Sequence, residues 1–160
     1  MNTRSRRWIM LGFFLLGLSA RTAPLMVGDA VPAFAASDQH GRGFYFSSTN
    51  GTQFLLVATE MACGKAANLK LAEQGASFLE TNHAAYLMDI HTMPAVARLF
   101  ALPKLRKYPQ RIVLVESAAT LAPFPVLAGR VTVLALTAAG RVRKISYWDP
   151  VTEPVTRCLD

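Results

Sequence analysis

The sequence predicts one α/β domain of three-layer α/β/α type, with a mixed central sheet and an antiparallel hairpin at each end. Three observations predict it. Short apolar β runs alternate with segments of helical period, which calls for a parallel section linked by crossover helices. The turns His40-Gly41-Arg42-Gly43 and Thr137-Ala138-Ala139-Gly140 each lie between two β runs, close enough to fold them back antiparallel. Gly and Pro cut the rest into short elements, and no repeat, low-complexity tract or long charged linker separates a second domain.

Residues 1–20 read as a cleavable signal peptide and residues 21–160 as the domain. Arg4, Arg6 and Arg7 form a basic start without an acid, and Trp8 to Leu18 then run apolar with only glycines interrupting. That run is shorter than the roughly 20 residues that a membrane-spanning helix needs. The small residues Ser19 and Ala20 suit signal peptidase, with cleavage expected after Ala20, although Leu18 is not ideal two positions earlier. An uncleaved signal anchor is the competing reading. Ser5-Arg6-Arg7-Trp8-Ile9-Met10 loosely matches a twin-arginine signal, but paired arginines are common in basic leaders. No Cys follows the apolar run, which argues against a lipoprotein anchor. The expected location is outside the cytoplasm: the periplasm, or the medium, if the source is bacterial.

Leu25 to Phe34, with Gly28, Asp29 and Pro32, reads as an extended lead-in. Ala35 to Asp38 and Phe44 to Phe46 make the arms of the first hairpin. Phe54 to Ala58 is continuously apolar, as suits a strand covered on both faces. Cys63 to Glu80 is expected to be one helix, with Leu69, Ala72, Ala76 and Leu79 as its apolar face and Gly75 as a weakness of about 1 kcal/mol. Ala84 to Ile90 is the next strand. Pro94 to Leu102 is a second helix whose apolar face is Val96, Leu99 and Phe100, ended or kinked at Pro103. Arg111 to Glu116, Val131 to Leu136 and Val142 to Tyr147 complete the strands. Pro150 and Pro154 leave room for at most a short helix in the tail.

Three of the 17 basic residues lie in residues 1–20, so against 10 acids the remainder carries only +4. That surplus keeps a protein soluble and calls for no nucleic acid. Lys104, Arg106, Lys107 and Arg111 form the densest basic cluster. It reads as a solvated helix end, where bases complement the carbonyl dipoles, or as a site for an anionic partner or membrane surface. The domain is long enough to bury a real core without a staple. Cys63 and Cys158 are the only cysteines, so an oxidising compartment permits one disulfide without requiring it. His40, His83 and His91 lie in different elements without ligand-like spacing, so no metal and no cofactor is expected. His91 follows Asp89 at a strand end, where functional loops often start. Tyr147 and Trp148 read either as an exposed binding surface or as packing for the tail.

Val27-Gly28-Asp29-Ala30-Val31-Pro32-Ala33-Phe34, Asp38-Gln39-His40-Gly41, the apolar strand, Cys63 at the head of a helix, Tyr108-Pro109 before a strand and the closing hairpin from Val131 to Ile145 together resemble the thioredoxin-like superfamily. The likeness is nearest to its peroxiredoxin and exported thiol-disulfide reductase branches. It implies a thioredoxin-like fold and a thiol or disulfide substrate, or a protein partner. The active-site motif departs from both branches. A reductase helix opens with two cysteines separated by two residues, because the second attacks the mixed disulfide formed by the first. Around Cys63 the two partner positions are Glu60 and Ala66. Peroxiredoxins carry a Thr three residues before the attacking Cys; here that place is Glu60, and Thr59 is one residue too far. The place of the branches' cis-proline falls near Val131, where a cis bond would cost about 2.5–4 kcal/mol. Pro109 could substitute only if its strand lay beside Cys63.

Cys63 is the candidate nucleophile, with Thr59, Glu60 and Lys65 as possible modulators. A helix N-terminus and Lys65 favour its thiolate, whereas Glu60 opposes it. Cys158 is the candidate resolving cysteine, because the tail of about ten residues can span ~33 Å when extended. An internal bridge, an intermolecular bridge and two thiols all stay open. Two functions follow. One is an atypical thiol enzyme in which Cys63 attacks a peroxide or disulfide. The other is a redox-inactive binding module or accessory protein of the cell envelope, without a stable membrane anchor once the signal is cleaved. The departures at Glu60, Ala66 and Val131 favour the second.

Overall fold

The structure, a computed structural model, describes residues 23–159; the expected signal peptide lies outside the described residues. Seven strands are formed among the described residues: β1 Phe34–Asp38, β2 Gly43–Phe46, β3 Phe54–Ala58, β4 Ala84–Asp89, β5 Val113–Val115, β6 Val131–Leu136 and β7 Val142–Trp148. They make one mixed sheet in the order β2-β1-β5-β4-β3-β6-β7. The centre is parallel, β3 with β4 and β4 with β5, while β6 runs antiparallel to β3. β1–β2 and β6–β7 are the two antiparallel hairpins. Every residue of β3 and β6 is buried, as suits strands covered on both faces; β3 is apolar throughout, and the one polar side chain of β6, Thr132, donates to Pro125 O at 2.6 Å.

One face of the sheet packs Leu56, Tyr86, Met88, Ile112 and Trp148 against helix α1, Met61–Gln74. The other packs Leu55, Val57, Leu87 and Leu134 under the lead-in residues Leu25 and Val31, the hairpin residue Phe46, and Leu121 of the short helix α4, Ala118–Leu121. The buried carboxylate of Asp38 fastens the first hairpin. It accepts from Arg42 Nε at 2.8 Å and from Arg111 Nε at 3.1 Å. The Arg111 guanidinium also stands 5.4 Å over the Phe44 ring.

Several elements differ from expectation. The helix expected over Cys63 to Glu80 begins two residues earlier, at Met61, and stops at Gly75, whose φ of 92° lies outside helical space. A separate turn, α2, Phe78–Thr81, follows. The buried stripe of α1 is Cys63, Gly64, Ala67, Asn68 and Leu71, and Leu69 points outward. In this register Gly64 faces the sheet, where a Cβ would lie 3.2 Å from Met88 Cε. The second long helix, α3, Ala95–Leu105, continues through Pro103. Pro103 has no N–H to give to Leu99 O, but Leu99 is on the exposed side of the helix, and the turn beyond still closes with Arg106 N–H donating to Leu102 O at 3.0 Å. Its expected apolar face is not core. Val96, Leu99 and Phe100 are each about two-thirds exposed or more, and only Leu105 is fully buried. α4 falls where a loop was expected. The expected strand Arg111 to Glu116 shrinks to β5, and the N–H of Ile112 just before it donates to the Gln39 side-chain Oε1 at 2.8 Å, not to a strand neighbour's backbone. The tail forms one 3-10 turn, Val155–Cys158. Trp148 is buried and donates from Nε1 to Glu153 O at 3.0 Å. It packs the tail and forms no exposed surface; Tyr147 stays exposed.

Candidate functional site

Glu60 is the N-cap of α1, with extended backbone angles (φ −114°, ψ 140°), yet its carboxylate does not cap its own helix. It reaches across to the loop before β6 and accepts from Gly129 N–H at 3.1 Å. Cys63 therefore stands at the third helical position, turned inward and 5 % exposed. In a pair separated by two residues at a helix opening, one member caps the helix and the other lies a turn inside. Cys63 holds the inner place and Glu60 the outer.

The surroundings of Cys63 keep its thiol protonated. Burial, then the negative charges of Glu60 and Asp149, push its pKa up to about 11, against a small opposing effect of Arg130. On the order of one thiol in 10⁴ is then ionised at pH 7. Lys65 is exposed and gives no help. Thr59, half-buried, ends the link from β3. Below Cys63, the buried Tyr86 hydroxyl donates to Gly64 O at 3.2 Å. Burial, with Cys63 and Tyr108 nearby, raises the Tyr86 phenol far above its usual range.

Arg130, the residue before β6, pairs with Asp149 after β7. Hydrogen bonds from Val151 N–H and the Thr152 hydroxyl hold Asp149 below the usual carboxylate range despite some desolvation, and Arg130 adds to this. Val131 opens β6 beside β3, as expected, and no peptide bond is cis among the described residues. β5 lies between β1 and β4, so Pro109 cannot serve beside Cys63. Cys158 packs against the same core cluster that contains Cys63, and its thiol donates to Val155 O. The tail thus returns to the candidate nucleophile's side of the sheet, and the two cysteines are not bonded to each other. Gly129, Arg130 and Asp149 were not singled out from the sequence. Their signal is positional: Gly129 and Arg130 precede β6 and Asp149 follows β7, so they bracket the closing hairpin. Exposed Met61, Val126 and Leu127 border the same end, the Glu60–Gly129 bond holding their two segments together.

The histidines divide. His40 and His83 line a cleft of about 750 Å³ with Arg42, Tyr45, Gln110 and Arg111. It lies at the starts of β4 and β5, the opposite end from Cys63. His91 bonds Asp89 Oδ1 at 2.7 Å. Among the described residues no group of three His, Cys, Asp or Glu side chains could hold a metal ion.

No family profile and no curated protein matches this sequence. Solved structures do match. A thiol-disulfide oxidoreductase thioredoxin domain from Bacteroides vulgatus aligns at a TM-score of 0.56 and 14% identity, covering 85% of this chain and 99% of that one. This chain has a thioredoxin-like fold. A peroxidoxin from Mycobacterium tuberculosis (TM-score 0.55, 14% identity, 84% of this chain and 94% of that one) shares it. So does a peroxiredoxin-like protein from Aquifex aeolicus (0.56, 13%, 85% of each). Both branches suggested by the sequence are thus among the thioredoxin-like neighbours, and at these identities what they share with this chain is the fold.

Proposed function

We propose that this protein is an exported thioredoxin-fold accessory protein that binds another protein in the cell envelope and carries out no thiol chemistry. The observation that carries the reading is the buried, protonated Cys63 held inside α1 while Glu60 takes the outer position and bonds Gly129. A nucleophile needs a thiolate and access, and here burial and two nearby carboxylates oppose both. The binding face is the head of α1, where Met61, Val126 and Leu127 present apolar surface around the polar rim of Glu60 and Arg130. Export rests on Arg4, Arg6 and Arg7 followed by the apolar run to Leu18. The single-cysteine peroxidase reading, with Cys158 resolving, draws support from the nearness of the tail but not from the state of Cys63.

The test is mass spectrometry of the protein purified from the cell envelope, alkylated under native conditions with and without peroxide and again after unfolding. The expected result is a chain starting at Arg21, with Cys63 slow to label when folded, unchanged by peroxide, and fully labelled once unfolded. Rapid labelling of Cys63, or its conversion to a sulfenic acid or a bond to Cys158, would return the thiol-enzyme reading.

A further inference from the structure

Helix α3 has two unlike sides. Inward, Leu105 is buried and Leu102 is partly so. Arg98 ties the helix start to the sheet, with Nη2 donating to Ile90 O at 3.0 Å, Nε to Met93 O at 3.0 Å and Nη1 to Glu116 Oε2 at 2.9 Å. Outward, Val96, Leu99, Phe100, Pro103 and Lys104 follow the three- and four-residue spacing of one helical stripe, and Lys107 follows in the turn just past the helix end. Val96, Leu99 and Phe100 are 67%, 70% and 69% exposed, and the proline and both lysines are exposed as well. The stripe is therefore apolar along its first half and basic at its end.

Along its own segment the charge has one sign, and the acid that meets the helix, Glu116, is paired with Arg98 at the start, away from the basic end. From Thr92 to Arg111 there are five bases and no acid. Arg98, Arg106 and Arg111 are spent on Glu116, Gln39 O and Asp38, which leaves Lys104 and Lys107 at the surface. From this juxtaposition we infer that α3 is a peripheral membrane-docking helix, which lays Val96, Leu99 and Phe100 among the acyl chains of an anionic bilayer while Lys104 and Lys107 meet headgroup phosphates. An amphipathic helix with aromatic and aliphatic residues on one side and lysines beside them partitions into such an interface, driven by apolar burial and attraction to anionic lipid. Phospholipid suits the shape better than a protein does. α3 is a ridge exposed on both flanks, the cleft lined by His40 and His83 includes none of its residues, and a lipid surface needs no matching groove. The contact is reversible docking by a short helix; among the described residues no helix is long and apolar enough to cross a membrane.

The test uses the processed chain from Arg21, free of the apolar leader that would itself enter a bilayer, with Phe100→Trp, read as its difference from the same chain unsubstituted, whose Trp148 is common to both. Vesicles of phosphatidylglycerol and phosphatidylcholine, with and without brominated acyl chains, are compared with phosphatidylcholine alone. The expected result is a blue-shifted, bromine-quenched emission from position 100 with the anionic vesicles only, reversed by high salt. Lys104→Gln with Lys107→Gln should weaken partitioning by roughly 25-fold, about fivefold for each base lost. Leu99→Trp gives a second reporter on the same stripe, and circular dichroism checks that each variant is folded. Emission unmoved by any vesicle overturns the inference, as does a shift indifferent to lipid charge. A shift that appears without lipid as protein concentration rises assigns the face to a second copy of the chain, and a shift produced by envelope proteins but not by vesicles assigns it to a protein partner; either result overturns it too.

Discussion

Cys63 and Glu60 are three residues apart, and the helix decides their unlike fates: the cap position faces the loop before β6, and the third position faces the core. The raised thiol pKa is also a statement about stability. Because the folded value of about 11 exceeds the ordinary 9.0, the folded state holds this proton more tightly. Stability from Cys63 is complete below pH 9, declines above it, and is gone beyond the folded value, a loss of at most about 2–3 kcal/mol. Cys63→Ala should therefore flatten the fall in unfolding free energy between pH 9 and 11, measured by urea titration at each pH; an unchanged slope would mean the thiol is not desolvated. Gly140 makes a second prediction at this scale. Its φ is 68°, and a Cβ would lie 2.6 Å from Ser48 Cβ and 2.7 Å from Ser48 Cα. Gly140→Ala should lower stability by about 1–3 kcal/mol by forcing the closing hairpin away from the loop after β2.

Among the elements, α1 and α3 show the two ways a helix can use its apolar residues. α1 buries a stripe of small residues, so it lies close on β3 and β4. α3 is held by Arg98 and by its last turn, and its largest side chains face outward. Arg98→Ala removes bonds made by a charged donor to Ile90 O, Met93 O and Glu116, each kind worth about 1.5–3 kcal/mol. The expected outcome is faster amide exchange across Ala95–Leu105 with little change in β3 or β6, read by hydrogen-exchange mass spectrometry. Uniform acceleration over the whole chain would show instead that α3 unfolds only with the rest.

At the scale of the whole molecule, the first hairpin and β5 meet through one buried carboxylate. Burial tends to raise the pKa of Asp38, but hydrogen bonds from the Arg42 and His40 backbone N–H groups and from the Arg42 guanidinium prevail and hold it below 3.8. A lowered carboxyl contributes stability that is fully present above its unfolded value and is lost as the pH falls through the folded one. Stability should thus hold level between about pH 5 and 8 and decline on both sides, through Asp38 in acid and through Cys63 and then Tyr86 in alkali. In Asp38→Asn the acid limb should flatten and the neutral plateau drop, since Arg42 and Arg111 lose their charged partner; an unchanged acid limb would assign it to other carboxyls.

The order of the strands, the two long helices between them, the two hairpins and the fully covered β3 were legible in the sequence, because apolar period and turn chemistry are local properties. So was the departure at Glu60 from both thiol motifs. The short helices α2 and α4 and the burial of β6 on both faces were not. Tertiary structure alone decided which face of each helix is core. The apolar faces expected of both long helices were misplaced: α1 turns Gly64, where a Cβ would crowd Met88, toward the sheet, and α3 turns Arg98 inward and Val96, Leu99 and Phe100 to the outside. The break at Gly75 is a backbone choice, since glycine tolerates both helical and positive φ. The meeting of Glu60 with Gly129, of Arg130 with Asp149, and of Cys158 with the core of Cys63 joins segments that only the closing of the sheet brings together. The sequence by itself therefore determined the scaffold and the absence of a paired-cysteine motif, while burial and long-range charge, which arise only once the chain has folded, determined that the remaining thiol is held protonated.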